Sequence, residues 1–477
     1  HKNLLSINLF LCLPMLAAGR VYLQKSGKTL ATILLVLCVF EIFLLRTRGV
    51  WLATAVGGLA FLAGWMAQKG KVRFKLNKML LGIVSGIAIL LVVGLFSISE
   101  IKSGVLNTAN IDNRFLFWGN TIEMIKENPL GVGAGNWKLH FPKYGLHDLE
   151  NNVQQGITQI QRPHNDFLWL ASEGTLLSGL IYILLIALAL VKAFKNIQEA
   201  DEPREAVLNS AIIMGLAGYA VFSMADFPLE RVETTVLLLV LLLLPFYKGY
   251  WLKNIPGMLV AMVIGLGAFF SLFIAYQRFN SEKDQVEVLQ YNEQRNAQAI
   301  IPAANQALSA YYNMDAFANP VVYYRSQGEL ALRQPDVALA SALEASSLAP
   351  YNIVVLNQVG NCYKMKNQLD SALAYYGKVS KISRRMLDAH FSMAEIYLNK
   401  KDYTLALRQL YRINPNINTN PYFLQLLARS LKGVRENPPE DGSYSKLNEY
   451  MNSRNPQTAQ QYIDYYRQFT SDRFVAS

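Results

Sequence analysis

The sequence predicts an all-α chain: a polytopic membrane bundle of about eight transmembrane helices, followed by a soluble helical repeat domain. Three observations carry this expectation. The long apolar runs are confined to residues 1–276. Residues 277–477 hold slightly more than half of the charged side chains in a shorter stretch. Small residues in that second part return at a fixed interval of 34 positions. With 52% hydrophobic and 17% charged residues in a chain of 477, a single soluble enzyme is excluded.

Apolar runs long enough, or nearly so, to cross a bilayer lie at Leu4–Ala18, Thr29–Leu45, Gly49–Ala67, Met79–Ser97, Phe167–Val191, Ser210–Ala225, Thr234–Tyr247 and Met258–Tyr276. The first and seventh are short and need neighbouring residues or a thin local bilayer. Arg20–Lys28 and Gln68–Lys78 are basic and free of acids, which assigns both to the cytoplasmic side. Alternate threading then makes Lys192–Asn209 and Lys248–Asn254 cytoplasmic. It places the 98–166 loop, the Asp226–Glu233 link and everything after Tyr276 outside the cytoplasm. The expected domains are a membrane domain over 1–276 with this large loop, a helical connector over 277–319 and a repeat domain over 320–477.

The net charge of +11 is largely topological and points to no nucleic-acid partner. Cys12 and Cys38 lie in apolar runs and Cys362 stands alone, so neither a disulfide framework nor a zinc spacing is present. The chain starts at His1 without an initiator Met or a cleavable signal, so it is expected to be the C-terminal part of a longer protein.

In the second half Ala338, Ala372 and Ala406 share the 34-residue spacing, as do the pairs Gly360/Ala394 and Tyr363/Tyr397. Ala338, Ala342, Ala345 and Pro350 fall where a tetratricopeptide repeat wants small and turn residues, with Tyr376 and Leu410 in the position of Ala342. About three such repeats are expected over Pro320–Pro421, flanked by less regular helix at 282–312 and 455–469. The bland alternative is a generic helical bundle. A tetratricopeptide-like surface usually binds a peptide or protein partner and does no chemistry.

The chemistry concentrates in the 98–166 loop, which holds His140, His147 and His164 of the chain's five histidines. Asn113–Trp118 opens an amphipathic helix, with Phe115, Trp118, Ile122 and Ile125 at helical spacing, that suits a membrane surface. It should stop near Pro129. The run Pro129-Leu-Gly-Val-Gly-Ala-Gly-Asn136 lacks the Lys-Ser/Thr of a phosphate-binding loop and has no preceding strand. It reads as a turn approached closely by backbone or ligand. His164 stands where the chain re-enters the membrane. An interfacial, solvated histidine is its plain alternative, and a metal site with His140 and His147 matches no ligand spacing. By the topology above, Arg48, Arg114 and His164 face one compartment at similar depth. Two guanidiniums and an imidazole there suit an anionic, membrane-borne substrate: Arg grips phosphate through a planar fork, and His titrates near neutrality. For each Arg alone, a headgroup or snorkelling role is the alternative.

Thr47-Arg48-Gly49, Asn113-Arg114…Trp118, the glycine run to Asn136 and His164-Asn165…Leu168…Glu173, in that order, resemble the O-antigen ligase superfamily. This group also includes O-antigen polymerases and protein O-oligosaccharyltransferases. The resemblance is strong over about Arg46–Val191, and the family's usual helix number implies further helices before His1. Gly174-Thr175 after Glu173 departs from the family pattern at the start of the fifth helix.

The resemblance implies a glycan donor on undecaprenyl pyrophosphate at the periplasmic face of the bacterial inner membrane, with the repeat domain on the same side. Arg48 and Arg114 hold the pyrophosphate, and His164 is base toward an acceptor hydroxyl. Arg162, Asn165 and Asp166 support, Asp166 by orienting the imidazole. Glu41, Asp226 and Glu230 lie near the same face, with structural roles at least as well founded. No cofactor, metal or ATP is needed, because the phosphoanhydride already activates the sugar. The acceptor expected first is lipid A–core; a protein or a growing glycan is the alternative, and the repeat domain is a place for a protein partner. Outside enzymes, the alternative is a membrane scaffold or a polysaccharide exporter. A transporter puts its ionisable residues near mid-membrane, whereas here they cluster at one surface.

Overall fold

The structure, a computed structural model, describes residues 2–67, 109–246, 257–413 and 420–474. The described residues are helical with no strand beyond two isolated bridges, Ser309–Tyr312 and Met314–Pro320. They divide into two compact units, one of residues 1–137 and 162–259, the other of 138–161 and 260–477.

The first unit contains α1 (Lys2–Tyr22), α2 (Lys25–Leu44), α3 (Arg48–Met66), α4 (Ala109–Glu127), α5 (Asp166–Glu173), α6 (Leu176–Glu199), α7 (Pro203–Ser223) and α8 (Val232–Leu243). Among the described residues, α1, α2, α3, α6, α7 and the stretch Ala261–Glu293 are long and apolar enough to span a bilayer, and Val232–Phe246 forms a shorter apolar helix. The chain is a multi-pass membrane protein. The expected span Met79–Ser97 and the basic loops Gln68–Lys78 and Lys248–Asn254 lie outside the described residues.

The core of this unit runs along α7, the most buried of the spans. Phe10, Ile212, Leu216 and Tyr219 are closed off from solvent. α3 lies close along α7 because small residues meet there: a Cβ on Gly57 would stand 2.7 Å from the Met214 carbonyl oxygen, and one on Gly218 2.7 Å from that of Ala53. Within a bilayer, where lipid tails are as apolar as Leu, such close backbone packing is a principal source of helix association. By contrast Leu177, Leu180, Leu184 and Leu188 of α6 project outward, as a lipid-facing stripe does.

The fifth expected span, Phe167–Val191, is two helices. α5 ends at Glu173, Gly174 breaks the helical dihedrals (ψ −109°), and Thr175 and Ser178 form a capping box that starts α6 afresh. The departure from the family pattern falls at this break. The expected surface helix is α4, with its last residue at Glu127. Its inward row is Phe117, Thr121 and Met124, while Phe115 and Ile122 of the expected apolar face stay exposed.

The second unit continues through α9 (Gly257–Glu293), whose first residues belong to the first unit. No boundary falls at Tyr276. Residues 277–293 hold neither Gly nor Pro, so the apolar helix passes unbroken into a polar one, about 55 Å long at 1.5 Å per residue. After α10 (Ala297–Ala307) come the antiparallel pairs α11 (Val321–Ala331) and α12 (Pro335–Leu348), α13 (Ile353–Met365) and α14 (Leu369–Ile382), α15 (Leu387–Asn399) and α16 (Tyr403–Tyr411). They are followed by α17 (Pro421–Glu436), α18 (Ser445–Arg454) and α19 (Ala459–Phe474). Helix starts recur at 34 residues: 335, 369 and 403 for one set, 353, 387 and 421 for the other. Each pair turns on a residue in the left-handed region, Arg333, Asn367 or Lys401, again at that interval. Ala338, Ala372 and Ala406 are buried at the helix crossings, and Gly360 makes room for the ring of Tyr376.

Candidate active site

His164 is placed by its neighbours in sequence. Trp118 on α4 donates from Nε1 to the Pro163 carbonyl (3.0 Å). Asn165 caps α5 by accepting from the Leu168 N–H (3.1 Å) and donates to the Met224 carbonyl (3.2 Å). Held from both sides, His164 adopts a left-handed backbone, φ 55°, a conformation that persists only where its surroundings enforce it. Its imidazole stacks on Phe117 (6.3 Å between centroids) and meets the edge of Phe227 (5.0 Å). The side chain keeps 34% of its surface open.

The carboxylate facing this imidazole is Asp226. Its Oδ1 lies 3.8 Å from His164 Nδ1, a contact longer than a hydrogen bond. The carboxylate is fixed in turn, Oδ1 accepting from the Phe227 N–H (3.0 Å) and Oδ2 from Asn3 Nδ2 on α1 (3.1 Å). Asp166, expected to orient the imidazole, instead turns inward as the first residue of α5 and accepts from the Leu229 N–H (3.0 Å). Burial pushes its carboxyl up to about 8, and the charges of Asp226 and Glu230 add to the rise.

Beside His164 opens a cavity of about 210 Å³ lined by Asn3, Leu4 and Ile7 of α1, Phe222 of α7, Arg162, and the Asp226, Phe227, Pro228 and Arg231 of the link to α8. Arg162 pairs with Glu230 and lays its guanidinium over the Phe227 ring at 4.5 Å. Arg231 stands 6.0 Å from the same ring.

Arg48 opens α3 at this end of the bundle. Thr47 before it shares a hydrogen bond with Ser6 of α1 (2.9 Å), and a Cβ on Gly49 after it would meet the Phe222 ring at 3.2 Å. Phe222 lines the cavity, and Ser6 lies on α1 next to Ile7, which lines it too. Arg114 sits three residues before Phe117 and four before Trp118 on α4, hence on the helix face that meets His164 and Pro163. Asn165 serves as cap and tether, and Glu41 lies on the exposed side of α2.

The glycine run is a backbone joint. Val132 and Gly133 donate to the carbonyls of Ser172 and Glu173 (2.9 and 2.8 Å). A Cβ on Gly131 would fall 1.5 Å from the Gly174 oxygen, and Gly131, Gly133 and Gly135 all have positive φ. The Glu173 carboxylate closes the joint by accepting from the Gly135 and Trp137 N–H groups (2.8 and 3.0 Å). Trp137, fully buried, donates to Thr121 Oγ1 (3.0 Å).

His140 and His147 belong to the second unit. His140 packs against Tyr351 (5.8 Å), and burial lowers the pKa of both, helped by the charges of Lys143 at His140 and Arg384 at His147. Among the described residues no group of three or more His, Cys, Asp or Glu is placed to hold a metal. Asn3, Phe117, Phe227 and Arg231 were not singled out from the sequence. Arg231 alone carried a signal, as a cation in a short link on the side already assigned to Arg48.

Residues 33–183 match the model of the O-antigen ligase family. Over that span, which draws on both units, the chain is similar to an O-antigen ligase domain. No curated protein and no solved structure matched the chain. The span takes in Arg48, Arg114, the glycine joint, His164 and Glu173. The Asp226–Arg231 link and Asn3 reach the same site from outside the matched span. The family's chemistry is of the glycosyltransferase or ligase type.

Proposed function

We propose that this protein is a ligase-type glycan transferase. It moves a glycan from undecaprenyl pyrophosphate to a hydroxyl of lipid A–core at the periplasmic face of a bacterial inner membrane. The observation that carries the reading is the pairing of a half-open His164 with the fixed Asp226 carboxylate at a cavity rimmed by guanidinium-bearing segments. The orientation draws support from the chain path: α1 begins at this cavity and its other end joins α2 at the turn flanked by Arg20, Lys25 and Lys28, where basic residues mark the cytoplasm.

In this reading Asp226 favours the imidazole tautomer protonated at Nδ1, leaving Nε2 to accept the acceptor's proton. The acceptor oxygen attacks the anomeric carbon as the bond from that carbon to the pyrophosphate oxygen breaks with inversion. The bonding pair leaves with the pyrophosphate, whose growing charge Arg48 and Arg114 offset through bidentate hydrogen bonds. The proton ends on His164. The tetratricopeptide reading of the 34-residue array belongs to this proposal, as do the protein-glycosylating and polymerase variants, which differ only in acceptor.

The deciding experiment supplies a polyprenyl-pyrophosphate glycan with lipid A–core and with candidate proteins in separate reactions. Transfer to lipid A–core is expected. His164→Ala and Arg114→Ala should each lose at least about a hundredfold, the scale of a general base for the first and of a donor that stabilises transition-state charge for the second, while inserting normally. Undiminished transfer by both variants would overturn the site.

A further inference from the structure

The middle of the large loop, residues 138–161, folds with the helix array rather than with the helices that flank it in sequence. The seat is specific. Leu146 N–H donates to the Ile382 carbonyl (2.8 Å), and Ser383 Oγ donates to the Gln154 carbonyl (2.7 Å). Gln155 binds the turn between α14 and α15 twice: its Nε2 donates to the Arg385 carbonyl and its Oε1 accepts from the Leu387 N–H (3.0 Å). Gln159 donates to Asn319 Oδ1 (3.0 Å), which also accepts from Asn352 (3.0 Å). Gly156, at φ +74°, lets the loop close on α13, where a Cβ would come 2.5 Å from Val354. The loop is braced from within by Gln154, whose buried amide donates to the His147 and Leu149 carbonyls (3.0 and 2.7 Å). The turn between α14 and α15 is therefore filled by the chain itself and is not open to a partner.

The two ends of this seated segment are chemically loaded. One continues into Trp137, whose N–H is held by Glu173, and the other into Arg162, Pro163 and His164. We infer that the helix array is a holder for the catalytic loop, with Ser383, Gln155 and Asn319 as positioning residues for His164. This rests on the transferase reading. A freed segment leaves the chain on both sides of it less constrained, so fewer molecules carry His164 in working geometry at any moment. Those that do bind the donor as before. The signature is therefore a fall in kcat at constant donor KM.

Three full-length variants test it: Gln155→Met at a half-buried position, Ser383→Ala from the array side and Gly156→Val from the loop side, so that a folding defect in one leaves two. Amide exchange is read over residues 146–158 and over α13–α16, together with transfer kinetics. The expected result is at least tenfold faster exchange in the loop, unchanged exchange in the helices, about tenfold lower kcat and donor KM within twofold. Faster loop exchange with kcat unchanged, no change in loop exchange in any variant, or a raised KM at constant kcat overturns the positioning role. If the unsubstituted protein turns over no polyprenyl-pyrophosphate donor, the transferase reading falls and this role with it, whereas loss confined to the variants leaves that reading intact.

Discussion

Asp166 and Asp226 are both buried acids near His164, and their surroundings give them opposite work. Asp226 has a donor at each oxygen and the imidazole opposite, which holds the carboxylate facing the ring. Asp166 has one backbone donor and is closed off from water, and its carboxyl rises to about 8. A folded-state pKa above the unfolded value of about 3.9 means that the folded form holds the proton more tightly. Stability from this group is full below pH 4 and is lost as pH climbs through 8. Asp166→Asn, which keeps an acceptor for the Leu229 N–H, should therefore retain transfer within about threefold of wild type and lessen the loss of thermal stability between pH 7 and 9. Asp226→Asn should fold and lose about a hundredfold in kcat. Equal losses in the two variants would contradict this division. In sequence Asp166 looked the better partner because it lies two residues from His164. The capped start of α5 turns it inward, and a residue 62 positions after His164 takes the place. Spacing along a chain cannot disclose that.

Elements were legible where their signal is local. Apolar runs marked the spans, and the 34-residue period marked the helix pairs, because each span is one continuous run and each period is one complete helix–turn–helix unit. The break at Gly174 lay where Glu173-Gly174-Thr175 left the family pattern, but a run of Leu and Ile concealed a capping box of only two hydroxyls. The seating of residues 138–161 was invisible, since its partners lie about two hundred residues on and three of the five are backbone groups. Two elements make predictions of their own. The glycine joint depends on charge-assisted hydrogen bonds to Glu173, so Glu173→Gln should cost about 1–3 kcal/mol and loosen Trp137, readable as a red shift of tryptophan emission. The helix pair α15–α16 depends on a neutral His390, buried with Nε2 2.9 Å from the Arg384 carbonyl, to which its one N–H donates, and Nδ1 3.1 Å from the Gln409 side-chain amide, with its pKa lowered chiefly by burial. For a depressed histidine the stabilisation is full above the unfolded pKa of about 6.5 and declines as pH falls below it. Amide exchange in α15–α16, corrected for intrinsic rates, should therefore quicken between pH 7 and 5, and His390→Gln should flatten that dependence. A pH-independent profile in the unsubstituted protein would contradict the assignment.

At the scale of the molecule the question is which side of the membrane each part occupies. The chain path makes a strict demand. α1 and α2 are joined at the end carrying Arg20, Lys25 and Lys28, α2 and α3 at the end carrying Arg48, and α7 and α8 again at the end carrying Asp226 and Arg231. A helix bundle has only two ends, so the basic turn and the site must lie on opposite sides of the bilayer whichever way the bundle is inserted. The positive-inside tendency then chooses the insertion. α9 carries the chain on from the membrane unit to the helix array without a break, so the array's compartment follows from where α9 ends. Single cysteines read this directly in the full chain, with Cys12, Cys38 and Cys362 replaced by Ser or Ala as background. In intact cells a membrane-impermeant maleimide should label Asp441→Cys, on the array's exposed surface, and Leu130→Cys, on the exposed glycine joint. It should leave Ser26→Cys unlabelled until the cells are opened. Labelling of Ser26→Cys alone in intact cells would invert the bundle and place the site in the cytoplasm, away from a periplasmic glycan donor. Labelling of Leu130→Cys without Asp441→Cys would separate the array from the site. The holder role would then be impossible, because residues 138–161 are seated on that array and run directly into His164.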